Sequence, residues 1–273
     1  MLGDMTFGQY FPGNSFLHRL DPRMKIIGAI LYIIVVFLAK NIGAFLFLTL
    51  FTLFLVLSSG ISLKVILKGL KPLIFIIAFT AVVNIFWTEG DTKWVDFGII
   101  QIYKEGVMFA VLMIVRVICM LAGTSVILTY TTTPIALTDG LERLIAPLGK
   151  IGIPTHDFSM MMTIALRFIP TLVEETDKIM KAQQARGVDF SSGGLMKRLR
   201  SFLPVLIPLF VSAFRRAEEL AVAMECRCYR GGEGRTRMTQ LTMHARDGVF
   251  LMGLLLCGAA TVLINLFVPG FAV

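Results

Sequence analysis

The sequence predicts an all-α membrane protein with about five transmembrane helices and a cytoplasmic region that contains two long helices. Hydrophobic residues make up 56% of the 273 residues and charged residues only 16%, whereas soluble domains average about 45–50% and about 25%. The mean hydropathy is +0.79. The apolar residues collect in runs of nearly spanning length, and most of the basic residues lie together between two of those runs.

Five apolar runs are predicted to be transmembrane helices, because each approaches the roughly 20 residues that a helix needs to cross a bilayer. Backbone in lipid must satisfy its own hydrogen bonds, which favours helices. The runs are Ile26–Ala39, Ala44–Leu57, Pro72–Trp87, Gly106–Tyr130 and Gly248–Val268. The first three need their flanking residues to reach spanning length. No apolar secretory segment precedes the first run, so that run is expected to direct membrane insertion.

Membrane topology explains the formal net charge of +8 better than nucleic-acid binding does. Sixteen of the 26 lysines and arginines lie in residues 131–247, and three more precede the first apolar run. By the positive-inside rule, the N-terminus and residues 131–247 are expected on the cytoplasmic side. The loop Thr88–Glu105 carries four carboxylates and is expected outside, as is the C-terminus.

Three segments are predicted from this pattern: a membrane block with four transmembrane helices at residues 1–130, a cytoplasmic domain at residues 131–247, and a final transmembrane helix at residues 248–273. The cytoplasmic domain is expected to begin with a short amphipathic helix that starts at a Thr-Pro pair. Acidic residues near the start of that helix suit its positive dipole end.

The first long helix is predicted to run from capping residues near Thr155 to Arg186, since apolar residues recur there every three or four positions. Such a helix would be about 45 Å long. Pro170 is expected to bend it, and Gly187 is expected to end it.

The second long helix is predicted to follow the connector Ser191–Gly194 and to end at Gly231-Gly232. Its apolar stretch Phe202–Phe214 has only 13 residues. That length is too short to span a bilayer and favours a buried or interfacial helix. Two prolines, at positions 204 and 208, argue against a straight helix there.

The sequence offers little support for catalysis or metal binding. It contains no Gly-x-x-x-x-Gly-Lys-[Ser/Thr] phosphate-binding loop and no Gly-x-Ser-x-Gly nucleophile motif. Cys226 and Cys228 are too close in sequence for an unstrained disulfide, and no histidine or carboxylate completes a metal-ligand spacing around them. The pair Glu174-Glu175 is expected to form a solvated face of the first long helix.

Arg116 lies inside the fourth apolar run, where a charged residue is a functional hypothesis by default. The predicted spans contain no carboxylate that could complete a proton relay. A structural role is therefore favoured for Arg116.

Both long helices are predicted to end in a small-Arg-small motif, Ala185-Arg186-Gly187 in the first and Cys226-Arg227-Cys228 in the second. One interpretation is that each arginine caps the last helical carbonyls, which contributes about 0.3–1 kcal/mol. The other is that the small neighbours let a partner protein approach, while the guanidinium fork binds carboxylates or carbonyls in its groove. The sequence leaves both interpretations open.

Four stretches resemble the transmembrane (T) component of energy-coupling factor transporters, which are bacterial importers of vitamins and metal ions. "GNSFLHRLDPRMK" is similar to the entry motif of that family, and "TTTPIALTDGLERLIAPLGKIGIP" resembles its first coupling-helix region. "LRFIPTLVEETDKIMKAQQARGVDF" ends in the small-Arg-small signature. "AMECRCYRG" stands where the second signature is expected, although its cysteines depart from the usual Ala-Arg-Gly form.

The resemblance implies a non-catalytic, multi-pass subunit of the bacterial cell membrane whose cytoplasmic domain holds the coupling helices. Its expected partners are two ATP-binding cassette ATPase subunits, a membrane-embedded substrate-binding S component, and membrane lipid. No cofactor is expected, since the ATPases would bind ATP and Mg²⁺. The implied ATPase contacts are Ala185, Arg186, Gly187, Cys226, Arg227 and Cys228.

Two other functions are compatible with the sequence. One is an integral membrane enzyme that acts on a lipid or isoprenoid, for which Asp157, Glu174 and Asp177 are loose candidates. The other is a scaffold that holds a membrane complex without ATP. A stoichiometric pair of ATPases would favour the transporter, whereas turnover by the isolated chain would favour the enzyme.

Overall fold

A computed structural model describes residues 10–88, 93–97, 100–147, 155–190, 194–231 and 242–267. Within these residues the chain forms two compact units. The membrane unit contains the residues up to 143 together with those from 242 onward, and the hairpin unit contains those from 144 to 231.

The membrane unit is built from α-helices and one short β-hairpin. Its elements are α1 (Pro22–Leu38), α2 (Ile42–Ser59), α3 (Leu63–Leu70), a 3-10 turn (Lys71–Leu73), α4 (Ile74–Trp87), β1 (Lys93–Phe97), β2 (Ile100–Tyr103), α5 (Lys104–Thr124) with a π-helical turn (Ser125–Thr129), nearly all of α6 (Pro134–Ile145), and α9 (Ala245–Phe267). The hairpin unit contains α7 (Thr155–Ala185) and α8 (Leu195–Cys226). The predicted helical class is thus confirmed.

Among the residues that the structure describes, four helical segments are long and apolar enough to cross a membrane: Ile42–Ser59, Leu63–Trp87, Lys104–Thr129 and Ala245–Phe267. They correspond to four of the predicted spans. The second begins nine residues earlier than predicted, because the lysine-bearing segment before Pro72 is helical and Pro72 lies in the 3-10 turn. The first predicted span, α1, has 17 residues, at the lower limit for spanning. Its membrane crossing and the orientation of the chain stay predictions.

The predicted outer loop Thr88–Glu105 contains a strand pair that the all-α prediction did not include. β1 and β2 pair antiparallel, with Lys93 opposite Tyr103 and Phe97 opposite Ile100. Both strands are rich in aromatic and β-branched residues, which favour extended backbone.

α1 begins with a capped first turn. Asp21 is the N-cap, and its carboxylate accepts the backbone N–H of Arg23 at 2.9 Å. Pro22 occupies the first turn, where its missing N–H costs nothing. Asp21 and Pro22 therefore act as structural residues at the start of α1.

Arg116 in α5 stabilises the end of α1. Its Nη2 donates to the carbonyl oxygen of Ala39 at 2.8 Å, and Ala39 is the C-cap of α1. The guanidinium also lies 5.1 Å from the ring centroid of Phe45. A cation at a helix C-terminus satisfies an orphan carbonyl and the negative dipole end. These contacts agree with the predicted structural role.

The compact units group α6 with the membrane helices, whereas the division of the chain into membrane and cytoplasmic segments stays a prediction. α6 was expected to open a separate cytoplasmic domain at residue 131, yet residues up to 143 belong to the membrane unit. Gly140 of α6 explains the difference, because its backbone packs closely on the start of α1. A Cβ at this position would lie 2.9 Å from Cβ of Pro22.

The hairpin unit consists of two long helices that run antiparallel. Arg216 Nη2 lies 2.7 Å from Glu175 Oε2, and Ser212 donates to the same carboxylate. Nearer the connection, the rings of Phe190 and Phe202 are 5.3 Å apart. Glu175 is therefore part of the helix contact rather than of the predicted solvated face.

α8 continues through both of its prolines; whether the helix is straight there, against which the sequence argued, stays a prediction. Pro208 has no N–H, so the carbonyl of Pro204 lacks its usual helical donor. Gln183 of α7 supplies a replacement, since its Nε2 donates to that carbonyl at 3.3 Å. This contact could not be predicted from the sequence, because its partners are 21 residues apart on different helices.

Candidate functional site

The end of α7 is closed by a left-handed glycine cap. Ala185 is the last helical residue, and Gly187 has φ +88°. The N–H of Gly187 donates to Gln184 O at 2.9 Å, and that of Val188 donates to Gln183 O at 3.0 Å. This pair of bonds is the Schellman motif.

The end of α8 repeats the same cap. Cys226 is the last helical residue and Arg227 is the C-cap, while Cys228 has φ +56°. The N–H of Cys228 donates to Glu225 O at 2.9 Å, and that of Tyr229 donates to Met224 O at 3.0 Å. The helix therefore ends before the predicted stop at Gly231-Gly232, because Cys228 adopts the left-handed conformation that sequence rules assign to glycine.

The two small-Arg-small triplets are thus equivalent in backbone structure. In each, the first residue ends the helix, the arginine is the C-cap, and the third residue carries the positive φ. The third residue is small for a backbone reason, since left-handed φ disfavours bulky side chains. We call these segments, residues 185–187 and 226–228, the α7 tip and the α8 tip.

Both tips are accessible. Ala185, Arg186, Gly187, Cys226, Arg227 and Cys228 are all exposed. Within the described part of the chain, neither the Arg186 guanidinium nor the Arg227 guanidinium has a hydrogen-bond or ion-pair partner; only their backbone N–H groups are bonded. The last helical carbonyls are already bonded by backbone N–H groups, so neither guanidinium is used for capping. This weakens the capping interpretation that the sequence left open.

The antiparallel arrangement places the tips at opposite ends of the hairpin unit. Gln183, near the α7 tip, contacts Pro204 in the first third of α8. Arg227 lies a further 23 positions along the chain, and Arg186 extends three positions beyond Gln183 in the opposite direction. At 1.5 Å per residue, the tips are about 40 Å apart along the hairpin. They can therefore contact two separate proteins.

The structure does not assemble the residues that the enzyme alternative would need. Among the described residues, no three His, Cys, Asp or Glu side chains group as metal ligands. Cys226 and Cys228 are free thiols at an exposed helix end. Asp157 and Glu174 are exposed on α7, 17 positions apart along the chain.

Substitutions at the third residue of each tip should change the stability of the two tips in opposite directions. We expect Gly187→Ala to destabilise the α7 tip by about 1 kcal/mol, since alanine is disfavoured at φ +88°. Cys228→Gly should stabilise the α8 tip by a similar amount, about 1 kcal/mol. Hydrogen exchange of the last helical turn measures both effects. Equal protection in wild type and both variants would contradict the assigned backbone conformation.

Comparison with known proteins gives a consistent result. The family described as "CbiQ: Cobalt transport protein" matches residues 13–238, which include both tips. Three curated relatives are named energy-coupling factor transporter transmembrane protein EcfT. The Ruminiclostridium cellulolyticum protein is 56% identical over 247 residues (90% of this chain, 92% of the relative). The Heliobacterium modesticaldum protein is 49% identical over 260 residues (92% and 97%), and the Bacillus subtilis protein 46% over 259 residues (95% and 97%).

Proposed function

Because the chain belongs to the CbiQ family of energy-coupling factor transporter transmembrane proteins, we propose that each of its two tips binds one ATP-binding cassette ATPase subunit. The chain is the non-catalytic transmembrane T component of an energy-coupling factor transporter for micronutrient uptake. The proposal concerns how this component engages its partners.

The observation that carries the proposal is the pair of exposed arginines on equivalent Schellman caps. Since the backbone completes each cap by itself, both guanidiniums keep all five donors for a partner. A guanidinium fork suits carboxylates or backbone carbonyls in a groove on the partner. Two equivalent tips about 40 Å apart along the hairpin unit suit two ATPase subunits better than one.

The other functions of the transporter belong to other subunits, as the family resemblance implies. The ATPases bind ATP and Mg²⁺, and a membrane-embedded S component binds the vitamin or metal ion. An exposed apolar stripe on α8 offers cover for a partner in or on the membrane; it comprises Met196, Leu199, Leu203, Leu206, Phe210 and Phe214. The distribution of basic residues supports a cytoplasmic position for the N-terminus and for residues 131–247.

Site-specific cross-linking tests the proposed contacts. A benzophenone maleimide is attached to a single cysteine in the complex purified from native membranes, with the other three native cysteines replaced. Native Cys226 reports on the α8 tip, and Ala185→Cys in a chain without native cysteines reports on the α7 tip. We expect both to cross-link to ATPase subunits on illumination. The matched control is Glu174→Cys, an exposed position midway along α7, which should not. Cross-linking from the control alone would overturn the assignment.

A further inference from the structure

A buried lysine joins the start of α1 to the segment that leads into α6. Lys25 is only 1% exposed. Its ammonium Nζ donates to the Thr131 carbonyl at 2.9 Å and to Thr132 Oγ1 at 3.0 Å. A longer contact reaches the carbonyl of His18 at 3.4 Å. The two main acceptors are 106 and 107 positions away in the sequence, so Lys25 connects distant parts of the membrane unit.

Buried carboxylates balance the charge of this ammonium. Asp247 is 2% exposed and Asp21 is 7% exposed, and both attract Lys25 electrostatically. Asp247 also links two helix starts, since Oδ1 accepts the Asp21 N–H at 2.9 Å and Oδ2 accepts the His244 N–H at 2.8 Å. The N-termini of α1 and α9 therefore meet at one carboxylate, and Lys25 compensates its charge.

The segment that Lys25 holds lies between the π-helical turn and α6. The residues that precede α1 also hold this segment, because the Phe11 N–H donates to the Tyr130 carbonyl at 3.0 Å. α6 begins two residues after Thr132. Single π-helical turns in a helix often mark functional positions. Lys25 thus fixes the position of the segment from which α6 starts.

Burying an ammonium at this position is energetically unfavourable compared with burying an apolar side chain. Burying a charge pair costs desolvation free energy, and replacement by apolar residues of similar volume is often neutral or stabilising. A role in packing alone would be served by methionine or leucine. The two short bonds from Nζ instead hold one particular backbone segment, which apolar packing cannot do.

We propose that Lys25 is a positioning residue that holds the start of α6 on the membrane bundle, so that ATP-driven movement of the attached ATPases is transmitted to transport. The proposal rests on the ATPase binding proposed above. α6 precedes α7 in the chain, and α7 carries one of the two tips, so α6 connects the membrane unit to a helix that binds an ATPase in the proposal above. If the start of α6 is not held, movement of the ATPases displaces the segment 130–133 instead of the membrane unit. ATP hydrolysis then continues without import.

The test separates positioning from stability. Lys25→Met leaves Asp247 buried without its cation and is expected to destabilise the protein. The double variant Lys25→Met/Asp247→Asn removes both charges and should recover part of the thermal unfolding temperature that Lys25→Met loses. The recovery is partial because the amide oxygen can accept only one of the two backbone N–H groups that Asp247 accepts. The double variant still lacks the bonds to Thr131 and Thr132. Thr132→Val keeps both charges and removes one acceptor. Lys64→Met, at an exposed lysine of α3, is the matched control.

The readout is the amount of probe imported per ATP hydrolysed by the purified complex in proteoliposomes. The probe is whichever of the labelled B vitamins or Co²⁺ the wild-type complex imports. We expect this ratio to fall about tenfold or more in the double variant, to fall less in Thr132→Val, and to stay unchanged in Lys64→Met. A wild-type ratio in a stably folded double variant would overturn the proposal. If the double variant does not fold, an unchanged ratio in Thr132→Val would overturn it instead.

The co-purified ATPases distinguish this proposal from the one on which it rests. Loss of Lys25 should leave the ATPases bound and active, because the tips are unchanged. If the ATPases are absent already from the wild-type complex, the proposed binding at the tips fails, whatever Lys25 does.

Discussion

Arg186→Glu and Arg227→Glu should each remove ATP-driven uptake while the protein remains folded in the membrane. Each substitution replaces five donors with a carboxylate that has none. A hydrogen bond that involves a charged group contributes about 1.5–3 kcal/mol, so each tip should lose about 10- to 100-fold in affinity for its ATPase. Repulsion from the acceptors that the arginine formerly bound adds to this loss.

Two measurements check the prediction: the uptake of labelled B vitamin or Co²⁺ by cells, and the number of ATPase subunits that copurify. We expect each single variant to retain one ATPase and the double variant to retain none. Arg167→Glu on α7 and Arg215→Glu on α8 are matched controls, since both arginines are exposed on the same helices away from the tips. Full uptake in the double variant would refute ATPase binding at the tips.

The sequence predicted the tips because their signal is local. An arginine between small residues, at the end of an amphipathic pattern, is visible without any tertiary information. The sequence did not reveal that Cys228 would take the left-handed conformation, because a non-glycine residue is uncommon there. The predicted stop at Gly231 was wrong for that reason. The equivalence of the two caps became apparent only from their backbone hydrogen bonds.

The features that the sequence did not predict depend on distant partners. Lys25 looked like one of three basic residues that flank the first span, yet its acceptors lie at Thr131 and Thr132. The prolines of α8 argued against a straight helix, but the sequence did not reveal that Gln183 on the neighbouring helix satisfies the Pro204 carbonyl. In both cases the partners are far apart along the chain, so local sequence rules cannot predict the hydrogen bond.

A tight contact between α1 and α5 offers a test of the packing of the membrane unit. Gly123 of α5 faces Tyr32 of α1, and a Cβ added at Gly123 would lie 2.5 Å from the Tyr32 hydroxyl oxygen and nearer still to ring carbons. Tyr32 is fully buried. Its hydroxyl lies 2.7 Å from Thr52 Oγ1 and 2.9 Å from the carbonyl oxygen of Cys119. The ring is therefore held in place and cannot move aside at low cost.

We expect Gly123→Ala to destabilise the membrane unit by about 3 kcal/mol or more, because overpacking costs about 1–3 kcal/mol and the displaced hydroxyl would lose hydrogen bonds of about 1 kcal/mol each. Thermal unfolding in detergent measures the loss. Gly253→Ala in α9 is the matched control, since nothing lies within 4 Å of a Cβ there, and alanine favours helix over glycine. Tyr32→Leu in the Gly123→Ala background should recover part of the stability, because it removes the clashing hydroxyl and ring atoms. Equal unfolding temperatures for Gly123→Ala and Gly253→Ala would show that α1 and α5 are not packed at this distance.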